Sequence, residues 1–242
     1  MRANNLDQIY TTILWSLYTN PDFIVTDNNP NDKERKSGYR ELNGFQFKLT
    51  DIENNIITHN KARQFKIEYA KDFFNYVLTG DDAGVRENPK AVPYLIEFAG
   101  RNTQYGPRIH EQLNSMLTEL KVDKHSRRGT ILILEKEDQK VFEGKRTGVS
   151  DIEYPCTNSL TFSIRDDKLH LVSNMRSQSA CMVLPYEVYN WTNLMVAVCG
   201  LLLDTYPTLT CGTLTHQVAS LHYFESEEPL VKKILSEYGL LV

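Results

Sequence analysis

The 242-residue sequence is short of several things at once. Its four cysteines, Cys156, Cys181, Cys199 and Cys211, form no CxxC pair and fall into no Cys/His metal pattern, so neither a metal centre nor a disulfide framework is legible. Surplus positive charge is missing too: 27 Lys and Arg stand against 31 Asp and Glu, a net charge of −4, which argues against a direct nucleic-acid surface. The longest apolar run, LMVAVCGLLL from Leu194, covers 10 residues, too few to span a bilayer. The N-terminal MRANNLDQIYTTILWSLY carries an aspartate and polar interruptions, unlike a secretory leader. No internal repeat or low-complexity linker divides the chain. These absences set the expectation of a cytoplasmic protein with free thiols and with no metal, membrane or direct nucleic-acid partner.

What is present suffices for a core: 41% hydrophobic residues with 24% charged. LDQIYTTILWSLYTN has helical spacing, with Asp7 near its start. NNPNDKERKSG, Asn28 to Gly38, is rich in turn formers and reads as a surface loop. YRELNGFQFKLTD alternates at Phe45, Phe47 and Leu49 and predicts a strand. ARQFKIEYAKDFFNYVLTGDD predicts a helix closed by Gly80. RIHEQLNSMLTELKVD predicts an amphipathic helix with Ile109, Leu113, Met116, Leu117 and Leu120 on one face, and RGTILILEKE a strand. NSLTFSIRDD and KLHLVSNMRS alternate on either side of Asp166-Asp167 and predict a hairpin. PYEVYNWTNLMVAVCGLLLDTY predicts a buried central helix, GTLTHQVASLHYF a strand and EPLVKKILSEYGL a closing helix. Helices and strands intersperse without regular βαβ alternation. The expected fold class is α+β: a single domain over residues 1–242, with a large mixed or antiparallel sheet packed by helices.

Cys156 stands at the start of a strand, between Pro155 and polar Thr157-Asn158, whereas Cys181 and Cys199 lie in apolar surroundings. A free cysteine is commonly a small buried hydrophobe, and a nucleophile when positive charge holds its thiolate. Arg176 ends the second hairpin strand, so a tight hairpin is expected to bring it beside Cys156. Arg127 and Arg128 in KHSRRG read either as a solvated corner or as a phosphate site suited to guanidinium forks. His222, flanked by apolar residues, has the pattern of a core histidine, and Glu187 that of a charge at a helix N-terminus.

Taken together, TQYGPRI, HSRRGTILI, PCTNSLTFSIRDDKLHLVSNMRS and ASLHYF resemble the thymidylate synthase superfamily, and within it the phage-type deoxycytidylate hydroxymethylases. The resemblance covers most of the chain from about Tyr39 onward. It implies a thymidylate synthase-like fold and a pyrimidine nucleotide C5 one-carbon transferase acting on dCMP or CMP, with 5,10-methylenetetrahydrofolate as donor. It implies that Cys156 attacks C6, that Tyr105 lines the active site, and that Arg176 and Ser177 hold the phosphate. Arg127 and Arg128 would reach the substrate of a partner subunit in a homodimer with shared active sites. His222 would stand beside the sugar 3′-hydroxyl, and Arg35 joins the nucleotide-binding candidates. Glu187 falls where thymidylate synthases carry asparagine and the cytosine branch carries aspartate. As a carboxylate it would only accept hydrogen bonds, favouring cytosine with a protonated N3. Methyl transfer on the same scaffold, and a weakened nucleotide-binding homologue, remain the alternatives. Three positions depart from the pattern: Phe224 replaces a tyrosine, Ser179 an aspartate, and Phe73 the general-base glutamate. Glu68 and Asp72, one turn apart, are the nearest carboxylates and the candidate bases.

Overall fold

In this computed structural model the structure describes residues 1–26, 38–79, 105–140, 142 and 154–241. The first elements are β1 (Arg2–Ala3) and α1 (Leu6–Thr19). Asn5 caps α1, its side chain accepting from the N–H of Gln8 at 2.8 Å, which satisfies one of the helix's unpaired donors. Leu6, Ile9, Tyr10, Ile13, Leu14 and Leu17 recur at helical spacing and are buried. There follow β2 (Phe23–Val25), β3 (Tyr39–Leu49), α2 (Ile67–Thr79), α3 (Tyr105–Val122) and β4 (Thr130–Leu132). The chain continues with a 3-10 turn over Lys136–Gln139, β5 (Thr157–Arg165), β6 (Lys168–Ser179), α4 (Leu184–Leu202) and β7 (Thr210–Phe224). A second 3-10 turn, Glu225–Glu227, leads into α5 (Glu228–Glu237).

The strands form one seven-stranded sheet in the order β1-β3-β7-β6-β5-β4, with β2 pairing on β3. β1 runs parallel to β3, while β2 and β7 run antiparallel to it, so the sheet is mixed and the α+β class holds. Asp166 (φ 51) and Asp167 (φ 54) form the two-residue turn between β5 and β6. Left-handed backbone at both positions matches the twist of the flanking strands, and aspartate tolerates it.

The chain gathers into two units. One holds Met1–Phe65, Met175–Tyr189 and Thr213–Val242; the other holds Lys66–Asn174 and Asn190–Gly212. In the first, α1 packs on β3 and α5, burying Phe47, Leu49, Val231, Ile234 and Leu235. In the second, α2 packs on α3, and α3 on β4, burying Phe73, Tyr76, Ile109, Leu117, Leu120 and Ile131. No helix among the described residues is long and apolar enough to cross a membrane.

Several expectations change. The helix expected from Ala62 begins at Ile67, and its expected cap, Gly80, lies outside the described residues, as does most of the Asn28–Gly38 stretch with Arg35. The strand expected over RGTILILEKE stops at Leu132, because the N–H groups of Ile133 and Leu134 both turn to the carbonyl of Asn158, at 2.9 and 3.1 Å. The apolar α4 is not buried all round: Val196 and Leu201, 53% and 47% exposed, lie on an outward face. The short strands β1 and β2 were not legible.

Candidate active site

Pro155 precedes Cys156, and β5 begins at Thr157, as expected for a cysteine at a strand start. The N–H groups of Cys156 and Thr157 both donate to the hydroxyl of Tyr105, each at 3.0 Å. Tyr105 opens α3 and is buried, and its ring lies nearly parallel to that of Trp191 on α4, centroids 6.4 Å apart. Pro107 in the first turn suits a helix start, where its missing N–H costs nothing. Arg108 fastens that turn. Its guanidinium donates twice to the carboxylate of Asp138, both at 2.7 Å, and also to the carbonyl of Ile133. Burial pushes the Asp138 carboxyl up, but the Arg108 hydrogen bonds, the Glu135 N–H and the Arg108 charge together outweigh it, and the carboxyl ends below its ordinary value.

Cys156 is half-buried, whereas Cys181 and Cys199 are buried as expected, and none of the four is in a disulfide. Burial pushes the Cys181 thiol up to about 12, which keeps it protonated and inert. Beside Cys156, Thr157 is wholly buried with a hydroxyl that meets no hydrogen-bond partner. Asn190 and Trp191, also wholly buried, leave their side-chain polar atoms unpartnered. In the same unit Arg127 and Arg128 stand exposed at the corner between α3 and β4. Arg128 pairs with Glu119 at 2.9 Å, and the same carboxylate oxygen accepts from Ser126 at 2.6 Å. Glu68 and Asp72 lie on α2. Glu68 is exposed and paired with Lys71 at 3.0 Å; Asp72 is half-exposed. Phe73 is buried between the rings of Tyr69 and Tyr76.

The other unit carries Arg176, Ser177, Glu187 and His222. Arg176 and Ser177 sit near the end of β6, both half-buried. The carbonyl of His222 accepts from the N–H of Ala180 at 2.7 Å. Burial lowers the His222 pKa; the Ser220 carbonyl opposes this, and the charge of Arg176 lowers it further. Thus Arg176 and His222 lie within electrostatic reach of each other. The role of satisfied core histidine falls instead to His216, wholly buried and 2.8 Å from the side-chain oxygen of Gln178.

Glu187 lies in the first turn of α4, as expected, but it is 5% exposed and one of its oxygens meets no partner. Burial pushes its carboxyl up to about 8. This changes the sequence-based chemistry: at neutral pH Glu187 is an acid that donates as well as accepts. Arg63, which the sequence did not single out, fixes the turn before α4. It donates to the carbonyls of Cys181 at 3.2 Å and Met182 at 2.7 Å, and its guanidinium lies over the ring of Tyr186 at 5.2 Å. Tyr186 stacks on Phe65 at 4.9 Å. An arginine in a polar stretch gives no sign of burial, so only the fold reveals this anchor.

No protein-family model matches the chain. The chain is 24% identical over 224 residues, 92% of its length and 87% of the relative's, to a protein of Methanococcoides burtonii provisionally named thymidylate synthase. Over 97 residues, 38% of each chain, it is 34% identical to the deoxycytidylate 5-hydroxymethyltransferase of Enterobacteria phage T4, and equally to that of phage T2. These similarities support a thymidylate synthase-like superfamily, without fixing a branch within it.

Proposed function

We propose that the protein is a pyrimidine nucleotide C5 one-carbon transferase that hydroxymethylates dCMP or CMP. The observation that carries the reading is Cys156, a half-buried thiol at a strand start whose backbone is held by Tyr105. Cys156 Sγ attacks C6 of the ring, the C5–C6 π electrons move to C5, and C5 takes a one-carbon electrophile. Arg176 supplies positive charge to the phosphate, and Ser177 a hydroxyl. Loss of the C5 proton needs a base, for which Asp72 and Glu68 are the candidates; water then adds to the exocyclic methylene so formed, and the electron pair returned to C5 expels Cys156 from C6 as thiolate. Arg127 and Arg128 reach the phosphate in a partner subunit's site, and their exposure supports that role.

Glu187 reads the base. Its neutral acid donates to N3 and accepts from the N4 amine of cytosine. Moving the proton from Glu187 to N3 leaves a carboxylate facing two N–H groups and draws electrons from C6, which activates it. Uracil meets the neutral acid with the pair reversed, its N3–H donating and its O4 accepting, but it has no basic N3 to take the proton, so the preference for cytosine arises at the proton transfer.

The one-carbon donor is 5,10-methylenetetrahydrofolate, on the resemblance and on the superfamily of the relatives. Ser179, where the family pattern carries aspartate, accepts through its hydroxyl from the N–H of Met182 at 3.2 Å. None of the candidate residues is assigned to the folate, so the steps above are confined to the nucleotide. The relative named thymidylate synthase supports a second reading, methyl transfer. Phe73, apolar and buried where a base is expected, supports a third, a weakened nucleotide-binding homologue. Incubation with dCMP, CMP or dUMP and methylenetetrahydrofolate, followed by product mass, separates them. A gain of CH2O marks hydroxymethylation and a gain of CH2 methylation; no product despite nucleotide binding marks the weakened homologue.

A further inference from the structure

Within the unit that carries His222, three rings meet on one face of the sheet. Tyr39 and Phe224 are direct cross-strand partners on β3 and β7, and Glu41 opposes His222. Opposed residues, and residues two apart along a strand, project to the same face. The rings of Tyr39 and His222 lie 5.6 Å apart at 61°, those of His222 and Phe224 5.1 Å apart at 73°, and those of Tyr39 and Phe224 6.4 Å apart at 80°. The imidazole is thus flanked by two edge-on rings, of which only Tyr39 carries a hydroxyl.

Two features make this a prepared arrangement. First, Nδ1 of His222 lies 3.3 Å from the carbonyl of Ser220, which only accepts, so Nδ1 carries the proton. With burial and the charge of Arg176 disfavouring the imidazolium, Nε2 is left as an acceptor. Second, Tyr39 is held on a rigid stretch. A Cβ on Gly38 would fall 2.4 Å from the carbonyl of Val25 and 2.7 Å from Cδ of Glu225, and the Gly38 carbonyl accepts from the N–H of Glu225 at 2.8 Å. Only glycine fits there, so the backbone leading into Tyr39 is clamped between β2 and the Glu225–Glu227 turn.

An imidazole acceptor beside a phenol, within reach of an arginine's charge, suits a ligand that carries a hydroxyl near a phosphate. The geometry points to Tyr39 as a contact for the nucleotide's sugar hydroxyl beside His222, providing from β3 the hydroxyl that Phe224 does not provide from β7. This rests on the nucleotide reading above and deepens it: the sugar is recognised by residues of two neighbouring strands.

The test is calorimetric titration of the whole protein with dCMP and with 2′,3′-dideoxycytidine monophosphate, which lacks only the 3′-hydroxyl. The unmodified protein is expected to bind dCMP about five- to tenfold more tightly, the worth of one neutral hydrogen bond. Tyr39→Phe is expected to abolish most of that ratio by weakening dCMP alone. Phe224→Tyr added to Tyr39→Phe is expected to restore part of it, and the rescue separates contact from folding. An unchanged ratio in Tyr39→Phe, or no ratio in the unmodified protein, overturns the role of Tyr39 while nucleotide binding stands. Failure of the unmodified protein to bind any pyrimidine nucleotide overturns both.

Discussion

The backbone N–H of Cys156 donates to the hydroxyl of Tyr105 across 51 residues of sequence, at 3.0 Å. Because the same oxygen takes the N–H of Thr157, one side chain from α3 fixes the strand start on which the thiol stands. Tyr105→Phe leaves two N–H groups without their acceptor. The expected cost is about 2 kcal/mol of stability, since an orphaned buried donor costs on the order of 1–3 kcal/mol. Turnover is expected to fall while the strand start loosens, so Cys156 should be alkylated faster by iodoacetamide, read by mass spectrometry. Unchanged alkylation would show that the hydroxyl does not hold the thiol's backbone.

Arg108 and Asp138, with side chains 10% exposed each, form a nearly buried two-point ion pair. Removing one partner strands the other, so Arg108→Leu is expected to cost about 3 kcal/mol in urea unfolding. Asp138→Leu added to it should cost less than the sum of the two single changes, because neither charge is then left alone. Strict additivity would argue that the pair is not coupled.

Glu187 makes stability depend on pH. Its carboxyl is held near 8 against an ordinary 4.5, so the folded state keeps a proton that the unfolded state releases. That contribution is fully present below about pH 4.5 and is lost as pH rises through about 8. Against Glu187→Gln, which has no proton to lose, the unmodified protein should lose Tm between about pH 5 and 8. Parallel Tm profiles for the two proteins would mean the carboxyl is solvated. On the same grounds dCMP affinity should fall as pH passes 8, because the ionised form must regain a proton to bind.

The sequence revealed what depends on near neighbours. The β5–β6 hairpin was legible because alternation on each side frames Asp166 and Asp167, whose left-handed backbone the structure shows. α1 was legible from its apolar stripe, although its cap at Asn5 was overlooked. What stayed hidden depends on distant partners. β4 ends early because of the Asn158 carbonyl, Arg63 is buried because carbonyls from residues 181 and 182 receive it, and Tyr39 gains meaning only when β7 lies beside it. Glu187 was legible as a helix N-terminal carboxyl. Its neutral state was not, because burial is a property of the whole surrounding unit.

Cys156 is the proposed covalent nucleophile toward cytidylate. The most direct measurement is release of tritium from 5-tritiated dCMP in the presence of methylenetetrahydrofolate, with the unmodified protein and with Cys156→Ala and Cys156→Ser. Release is expected from the unmodified protein and from neither variant, with dCMP affinity kept within about tenfold because the phosphate and base contacts remain. Release by Cys156→Ala at the unmodified rate would contradict that role.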